Sequence, residues 1–336
     1  MNGTNGSVLL ETRHVSKRYP KRGSPGVEER ALDDVSVVIR EGEALGIVGE
    51  SGSGKTTLSR LLLGIEPATE GLVLFRGVPI SDLEGEGRQR FRRSVAAVFQ
   101  NPYSSLDPRM PIWQLITEQL IVEHRGTRRE RRSRAAELLT RVGLDASLPE
   151  RYPRQLSGGQ RQRVAIARAL VSSPDVVILD EAISALDVSV RAQIVNLLLD
   201  LQDRLNLTYA FIAHDLAIVQ HLCHRTVVMY RGKIVEEGLS SDIFARPAHP
   251  YTAALIEASY IGAMGENWSA PTAQALQEDA PQAGCIYQPR CPLATAHCVE
   301  VVPTQRAVGN GHRVMCHYPM RVEGTEAEAK IGDEHA

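Results

Sequence analysis

The stretch GESGSGKT, residues 49–56, decides the fold that we expect for this chain. It matches the pattern G-x-x-x-x-G-K-[ST], whose glycines let backbone N–H groups turn inward around a phosphate. The buried strand ALGIVG precedes it, and the helical stretch LSRLLLGI follows it. A helix that begins at such a loop also directs a favourable dipole at an anion. A glycine-rich turn alone does not account for both flanks, so the stretch predicts a nucleotide site.

The side chains of this loop have expected roles in holding a nucleoside triphosphate. We expect Lys55 to reach the β- and γ-phosphates and Thr56 to ligate magnesium. Ser51 and Ser53 are expected to be small loop residues that also donate hydrogen bonds. The remaining residues of the predicted nucleotide-binding loop are Gly49, Glu50, Gly52, Gly54 and Thr57.

The stretch VVILDE, residues 176–181, supplies a second part of the predicted site. Its apolar residues place Asp180 at the end of a buried strand, where a carboxylate can hold magnesium through water. Glu181 is then free to polarise an attacking water. Adjacent acids after an apolar strand often only begin a loop, but together with the phosphate loop they indicate a catalytic site.

The stretch LSGGQRQRVAIARAL, residues 156–170, contains a second helix start that could bind an anion. Ser157, Gly158 and Gly159 open this helix, whose first N–H groups have no partner within the helix. By itself such a start would be an ordinary N-cap. One nucleotide does not easily need two such loops from one chain, whereas two chains arranged head to tail could each close the other's ATP site.

These stretches resemble the motifs of the ATP-binding-cassette (ABC) family. LSGGQ matches the family's signature motif letter for letter, GESGSGKT resembles the Walker A loop, and VVILDE resembles the Walker B strand. Further counterparts follow in the family's order over roughly residues 8–250: Tyr19 in SKRYP for the A-loop aromatic, Gln100 in AAVFQNP for the Q-loop, SALD at 184–187 for the D-loop, and His214 in FIAHDL for the switch histidine. Ala182 departs from the family's usual proline, but because Glu181 is present an active site is still expected.

The resemblance implies a fold and a set of domains. The expected fold is α/β, a P-loop NTPase of the ABC nucleotide-binding type with a helical subdomain, plus a small cysteine-rich C-terminal domain. We expect the ATPase domain over residues 1–250, with its helical subdomain at about 101–155. The C-terminal domain, with regulatory or peptide-importer character and a four-cysteine metal site, is expected over 251–320, and a disordered acidic tail over 321–336.

The resemblance also implies roles around the γ-phosphate. Gln100 would complete the magnesium shell, and His214 would act with Glu181 as the catalytic pair, holding the attacking water in line. Tyr19 would stack on adenine. Simpler interpretations exist for these residues, since Tyr19 could be an ordinary strand-end aromatic, Gln100 a loop polar residue, and His214 a satisfied core histidine.

The signature and D-loop residues would act across a dimer. Ser157 and Gly159, with Gly158 and Gln160 beside them, would contact the γ-phosphate bound on the partner subunit. Asp187 would connect the two sites. The expected cofactors of this machinery are ATP and Mg²⁺.

The pattern along the chain predicts a mainly parallel sheet with helices on both faces. Strands are expected at 8–18 and 31–40, with the loop PKRGSPGVEER between them, and then at 44–48, 176–180, 209–214 and 226–230. Helical stretches such as VRAQIVNLLLDLQDRL separate the later strands, and residues 101–153 read as mostly helical. Such alternation is typical of α/β proteins.

Composition narrows the function classes. With 336 residues, 43% of them hydrophobic, and a net charge of -2, the chain lacks the basic character of a nucleic-acid-binding protein. RGTRRERRSR, residues 125–134, is an exception that we interpret as a solvated helix face. The sequence shows neither a secretory signal nor a membrane span, which indicates a reducing cytosol.

Two further stretches resemble one group of importers. FQNPYSSLDPRM, residues 99–110, and RPAHPYTAALIEA, which contains His249-Pro250-Tyr251, are similar to segments of the oligopeptide, dipeptide and nickel importers. A cassette acting on DNA or ribosomes would be expected to carry a coiled-coil insertion or a tandem cassette, and the sequence has neither.

This resemblance implies a function and partners. It implies an ATPase that drives import of di- or oligopeptides, with nickel chelates, glutathione or a non-transport role as alternatives. The implied partners are a second, different cassette chain, two transmembrane permease subunits and, indirectly, an extracytoplasmic solute-binding protein, at the cytoplasmic face of the membrane and without nucleic acid.

Four of the five cysteines gather in GCIYQPRCPLATAHC and HRVMCHYP: Cys285, Cys291, Cys298 and Cys316. Incidental thiols would not usually cluster in this way, and disulfides do not suit the cytosol. Zinc usually takes shorter spacings, and no ferredoxin spacing matches either, so spacing leaves zinc and a [4Fe–4S] cluster open. The resemblance to the carboxy-terminal motif of peptide-importer cassettes implies the [4Fe–4S] cluster, with Zn²⁺ as the alternative. Cys223 lies apart and is expected to be a buried thiol.

Overall fold

The structure is a computed structural model. It describes residues 6–21, 23, 26–99, 106–183, 187–213, 215–263, 283–309 and 311–320. The backbone divides into two compact units, Met1–Ile234 and Val235–Ala336. The expected disordered tail at 321–336 lies outside the described residues.

The first unit combines strands and helices throughout its length. Its described strands are β1 (Val8–Pro20), β2 (Glu28–Arg40), β3 (Ala44–Val48), β4 (Glu70–Phe75), β5 (Val78–Pro79), β6 (Val95–Phe99), β7 (Val176–Asp180), β8 (Thr208–Ala213) and β9 (Arg225–Tyr230). Its described α-helices are α1 (Lys55–Leu62), α2 (Gly85–Ser94), α3 (Ile112–Ile116), α4 (Glu118–Val122), α5 (Arg128–Arg141), α6 (Gly158–Ala169), α7 (Val188–Leu205) and α8 (Leu216–Leu222). Short 3₁₀ helices lie at Ile80–Asp82, Leu148–Glu150 and Pro153–Gln155.

A parallel sheet in the order β9-β3-β8-β7-β6 carries the catalytic motifs. The register pairs Val48 with Ala213, and Asp180 with both Ile212 and Phe99. The strands therefore end together at one edge, where ligands bind in open parallel sheets. The predicted α/β fold is confirmed. The strands predicted at 44–48, 176–180, 209–214 and 226–230 are also present, within one residue at each end.

A second sheet, antiparallel and in the order β2-β1-β4-β5, was not predicted. The strands β1 and β2 form a long hairpin whose register runs from Val8 opposite Arg40 to Pro20 opposite Glu28. The predicted loop at 20–30 is therefore too long, because β2 already begins at Glu28. Cross-strand partners hold these charged residues in the strand, although their composition alone favours a loop.

Helix α1 contacts strands of both sheets and lies in the core of the first unit. Its Leu58, Leu61 and Leu62 are buried. Each fully buried leucine contributes about 1.5–3 kcal/mol relative to an exposed one. The helix is therefore fixed by packing, and so is the loop from which it begins.

The region that reads as helical from the sequence does contain helices in its described part. Helix α5 begins with a capping box, in which the Thr127 hydroxyl accepts from Glu130 N–H and the Glu130 carboxylate accepts from Thr127 N–H. It buries Ala135, Leu138 and Leu139, while its arginines are exposed or half-buried, as the sequence predicted. Across the described residues, no helix is both long enough and apolar enough to cross a bilayer.

The second unit is a small sheet with helices around it. Its described strands are β10 (Lys233–Leu239), β11 (Gln305–Gly309) and β12 (His312–Met315), and β12 pairs antiparallel with both of the others. Its helices are α9 (Ser240–Ala245), α10 (Pro250–Ala263) and α11 (Ala296–Glu300), with a 3₁₀ helix at Gln288–Arg290.

The packing of β3 generates a stability prediction. A Cβ at Gly46 would lie 2.4 Å from Val219 Cγ1 and 3.3 Å from Cys223 Sγ. We expect Gly46→Ala to destabilise the protein by about 1–3 kcal/mol, because a filled core cannot accept another methyl group without strain. Chemical denaturation measures this difference. Gly87→Ala is the matched control, since its Cβ would make only an ordinary contact with Leu83. Equal stability of Gly46→Ala and the parent chain would contradict the packing.

Candidate functional site

The predicted nucleotide site lies at the carboxyl edge of the parallel sheet. The loop 49–54 follows β3, Glu181 follows β7, and the positions after β6 and β8 are Gln100 and His214. Gln100 and His214 themselves lie outside the described residues, and so does most of the predicted D-loop, residues 184–186. The topology therefore brings the ends of all four motif-bearing strands to one edge.

Lys55 is folded back into the phosphate loop. Its ammonium group is buried and donates to the carbonyl oxygens of Gly49 and Glu50, both at 2.7 Å, and to Ser53 Oγ at 3.3 Å. Burial lowers the pKa of Lys55, and the nearby charges of Glu181 and Asp180 partly oppose that effect. A phosphate in the loop would give this buried cation the negative charge that best compensates its loss of water.

The backbone of the loop requires glycine where it passes closest to β9. Gly49 has a φ of 151°, and a Cβ there would lie 2.2 Å from the carbonyl oxygen of Met229. Gly54 is the N-cap of α1 in the left-handed conformation, and Ser53 is buried beside it. Ser51 and Thr56 are exposed, and Thr57 is half-buried.

Asp180 is the last residue of β7 and Glu181 follows it, and the two carboxylates lie in different environments. Asp180 is buried, and burial raises its pKa, with the charge of Glu181 acting in the same direction and that of Lys55 against it. Glu181 is half-buried, and its N–H donates to the Ile212 carbonyl at 2.9 Å. Its φ of 48° lies in the left-handed region, so the chain turns sharply there. An acid so buried is well placed to bind a cation, since a cation would remove the cost of its charge.

The signature segment forms the start of α6, as the sequence predicted. Ser157 is the N-cap, and its Oγ accepts from Gln160 N–H while Gln160 Oε1 accepts from Ser157 N–H. Because the hydroxyl is an acceptor in this cap, its hydrogen remains available to a ligand. A Cβ at Gly159 would lie 2.7 Å from Val190 Cγ1, so glycine allows the helix to approach α7. At Gly158, no heavy atom of the described residues lies within 4 Å of a Cβ position.

The structure also describes Asp187 and Tyr19, two other residues that the sequence predicted to act in the nucleotide site. Asp187 is the exposed N-cap of α7, and its carbonyl accepts from Arg191 N–H at 2.8 Å. Tyr19 lies at the end of β1, half-buried, and its hydroxyl donates to Glu66 Oε2. Nothing in the sequence pattern points to Glu66, because a glutamate in a loop after a helix is common.

The second unit contains the four clustered cysteines. Cys285, Cys298 and Cys316 are buried, Cys291 is half-buried, and all are free thiols. Burial, together with the proximity of the other three thiols, raises the pKa of Cys316 to about 11. The topology therefore brings the four sulfurs into one neighbourhood. In the described parts of the chain, however, no group of three or more His, Cys, Asp or Glu side chains is arranged to hold a metal ion.

Backbone N–H groups point at three of these sulfurs. The amides of Tyr287 and Gln288 interact with Cys285, that of Leu293 with Cys291, and that of Tyr318 with Cys316, and each interaction opposes the effect of burial on the thiol pKa. Such N–H groups stabilise the thiolate form, which is the form that binds metals.

The histidine of the HPY segment is part of a buried network that the sequence did not reveal. Glu236 is fully buried and accepts from the N–H groups of Ala248 (2.6 Å) and His249 (2.9 Å) and from His312 Nε2 (2.7 Å). Burial lowers the pKa of His249 to about 4, so its ring is neutral. The rings of His249 and Tyr251 both contact Tyr287, which lies two residues after Cys285. The HPY segment thus packs against a residue that is close in sequence to the first clustered cysteine.

Comparison with known proteins assigns both parts of the chain. The family model described as ABC transporter matches residues 32–184, and the model described as oligopeptide/dipeptide transporter, C-terminal region, matches residues 235–298. The chain is 41% identical to the oligopeptide transport ATP-binding protein AppF of Bacillus subtilis, with 94% of this chain and 99% of that protein covered. It is 42% identical to the dipeptide transport ATP-binding protein DppF of Haemophilus influenzae, with 92% and 96% covered.

Solved structures share the fold of the first part. The ATP-binding cassette MJ0796, solved as a dimer in a post-hydrolysis state bound to ADP and Pi, is 31% identical with a TM-score of 0.61 and covers 69% of this chain and 99% of its own. The protein cbiO1 of Clostridium perfringens, part of the ABC transporter complex cbiONQ, is 29% identical with a TM-score of 0.62, covering 76% and 95%.

The burial of Asp180 generates a pH-dependent stability prediction. Without nucleotide, Asp180→Asn should raise the unfolding temperature more at pH 8 than at pH 5, by about 2–4 °C at pH 8. The raised pKa means that the folded state favours the protonated acid, so the stability that Asp180 contributes is lost as pH rises through that pKa. The amide stays neutral at both pH values. Thermal unfolding at the two pH values measures the difference.

The same variant should lose the Mg²⁺-dependent part of the stabilisation by ATP, since binding to the folded state is what raises the unfolding temperature. Asp175→Asn, which alters a surface carboxylate paired with Arg76, is the control and should retain it. A lower unfolding temperature for Asp180→Asn at both pH values would contradict the assignment of a buried, costly carboxylate.

Proposed function

The chain belongs to the ATP-binding-cassette (ABC) transporter family as one of its ATPases, and we propose that it drives the import of di- or oligopeptides. The observation that carries the proposal is the presence, in one chain, of a cassette at 32–184 and an oligopeptide/dipeptide transporter C-terminal region at 235–298. Relatives named for oligopeptide and dipeptide transport match over nearly their whole length. Nickel chelates or glutathione, chemically close cargoes, are the alternatives within this proposal.

We propose that ATP is hydrolysed at the carboxyl edge of the parallel sheet. Lys55 and the loop amides hold the phosphates, and Thr56, Gln100 and Asp180 hold Mg²⁺, whose charge offsets that of the phosphates. Glu181 acts as the general base, with His214 holding the water in line. The buried Asp180 beside the more accessible Glu181 supports this division of roles, because a metal ligand benefits from burial and a base needs access to water.

Two cassettes close on two ATP molecules in the proposed cycle. Ser157, Gly158, Gly159 and Gln160 of one subunit contact the γ-phosphate held by the other, and Asp187 connects the sites. The Ser157 hydroxyl supports this role because it keeps its hydrogen for a ligand while capping α6. The open space beside Gly158 leaves room for a phosphate to approach the backbone.

The proposed assembly contains more than this chain. A second, different cassette, two transmembrane permease subunits and an extracytoplasmic solute-binding protein complete it at the cytoplasmic face of the membrane. Within the chain we propose an ATPase domain over 1–250, its helical subdomain at about 101–155, and a C-terminal domain over 251–320. The helices α3, α4 and α5 support the helical subdomain.

We further propose that the four clustered cysteines hold a [4Fe–4S] cluster, with Zn²⁺ as the alternative. The chemistry of four thiols suits either group, and the proposal is supported by their shared neighbourhood and by the backbone N–H groups that face three of them, although the described side chains are not arranged around one metal position. When bound, such a cluster supplies a rigid cross-link and one-electron redox chemistry. Cys285, Cys291, Cys298 and Cys316 would link α11 to the residue that follows β12 and to the segment around the 3₁₀ helix at Gln288–Arg290.

The transport function is tested in the purified complex. We expect the chain, reconstituted with its permease subunits and binding protein, to hydrolyse ATP faster when di- or oligopeptides are added. Glu181→Gln should still bind ATP but lose turnover by about 10²–10⁴-fold, because that is what a general base typically contributes. Phosphate release and equilibrium ATP binding measure the two effects.

The matched control is Glu150→Gln, which changes an exposed glutamate paired with Arg132 and should leave turnover unchanged. Turnover of Glu181→Gln within a factor of about ten of the parent would remove Glu181 from the base's role. Stimulation by a sugar or a free amino acid, with none by peptides, would overturn the assigned cargo.

The cysteine site has its own test. Anaerobic purification should give a brown protein with about four irons per chain, and Cys291→Ser should lose the iron. Cys223→Ser is the control, since this buried thiol lies in the first unit and should not affect iron content. A colourless protein with one zinc per chain would replace the cluster by zinc. Metal-free protein under these conditions would contradict the proposal that the four cysteines bind a metal.

A further inference from the structure

The ring of Tyr19, near the end of β1, is held in place through its hydroxyl group. The hydroxyl of Tyr19 donates to Glu66 Oε2 at 2.5 Å. Thr57, in the first turn of α1, also hydrogen-bonds to this hydroxyl. Glu66 follows the last turn of the same helix. The ring is therefore tied to residues at both ends of the helix that begins in the phosphate loop.

Glu66 is itself held by two cations. Its Oε2 lies 3.6 Å from Lys17 Nζ, and its Oε1 accepts from an Arg60 guanidinium nitrogen at 3.3 Å. Lys17 also donates to the Pro67 carbonyl at 2.8 Å. With both oxygens engaged, the carboxylate has little freedom to rotate. A fixed acceptor fixes the donor that it binds, which here is the Tyr19 hydroxyl.

Lys17 also defines one face of the ring. Its ammonium nitrogen lies 5.1 Å from the ring centroid of Tyr19, a cation–π distance. The ammonium group of Lys17 therefore occupies one face of the Tyr19 ring. A planar group that stacks on Tyr19 must therefore use the opposite face. The contacts select both the position of the ring and the face that it offers.

We propose that Glu66 is a positioning residue for the nucleotide base: it sets the Tyr19 ring where the adenine of an ATP held by the phosphate loop stacks. This inference rests on the ATPase function proposed above and on the adenine-stacking role that the family resemblance implies for Tyr19. Glu66 touches no phosphate in this arrangement, so it acts on the base and not on the chemistry at the γ-phosphate. Its effect therefore falls on ATP affinity and KM, and kcat at saturating ATP stays close to that of the parent.

The test compares ATP with inorganic tripolyphosphate, which has the phosphates but no base. For the full-length protein, Glu66→Ala should weaken ATP binding by about 3- to 10-fold, the equivalent of one lost hydrogen bond. Its affinity for tripolyphosphate should not change. Tyr19→Ala should weaken ATP binding more, by about 5- to 150-fold, because the whole stacking surface is lost. Calorimetry measures both ligands.

Conservative variants separate positioning from a structural role. Tyr19→Phe keeps the ring and removes the hydroxyl, so it should match Glu66→Ala, and the double variant should be no weaker than either single variant. Glu66→Gln keeps an acceptor and should recover most of the affinity. Glu70→Ala is the control, because Glu70, at the start of β4, pairs with Arg18, the neighbour of Tyr19 in β1, and is not among the groups that bond to the Tyr19 hydroxyl.

The outcomes distinguish this inference from the function on which it rests. If Tyr19→Ala leaves ATP affinity unchanged, the stacking role of Tyr19 fails, and the positioning role of Glu66 fails with it. If Tyr19→Ala weakens ATP binding while Glu66→Ala and Tyr19→Phe do not, only the role of Glu66 is overturned. If Glu66→Ala weakens tripolyphosphate as much as ATP, the residue supports the loop generally, and the proposal is overturned.

Discussion

The burial of α1 is the constraint on which the nucleotide site depends. Leu58, Leu61 and Leu62 pack against both sheets, so the helix cannot shift without opening the core. Its first residue is Lys55, the buried cation of the phosphate loop. A helix fixed along its length presents its first N–H groups at a fixed place, and an anion site needs that rigidity. The hydrophobic core of the first unit thereby sets the position of its phosphate-binding groups.

Opposite charges lie close together at this edge of the sheet, and their burial costs free energy because it removes them from water. Burial lowers the pKa of Lys55 and raises that of Asp180, so it disfavours the charged form of each group. Their mutual attraction offsets part of this cost. A bound anion and cation would remove the rest, because both side chains would then have a compensating charge. A ligand that binds only the folded chain would therefore raise its stability.

Motifs with fixed spacing made much of this molecule predictable. The loop 49–56, the strand 176–180 and the helix start at Ser157 were identified because each needs particular residues in a particular local structure. The antiparallel sheet escaped prediction because its hairpin carries charged residues at Glu28 and Glu29, which only cross-strand pairing keeps in a strand. Glu66 and Glu236 escaped it for another reason. Tyr19 lies 47 positions from Glu66 along the chain, and His312 lies 76 positions from Glu236. No local sequence pattern predicts contacts over such separations.

The buried Glu236 gives the chain an order of assembly. The first unit has all the strands of its parallel sheet once residue 230 has been made. Glu236, only a few positions later, has no imidazole to bind until His312 has been synthesised. Closing so long a segment is slow and entropically costly, and domains tend to fold in the order in which they emerge. A growing chain could therefore have a folded nucleotide site while Cys285 and Cys298, buried in the finished second unit, were still accessible to solvent.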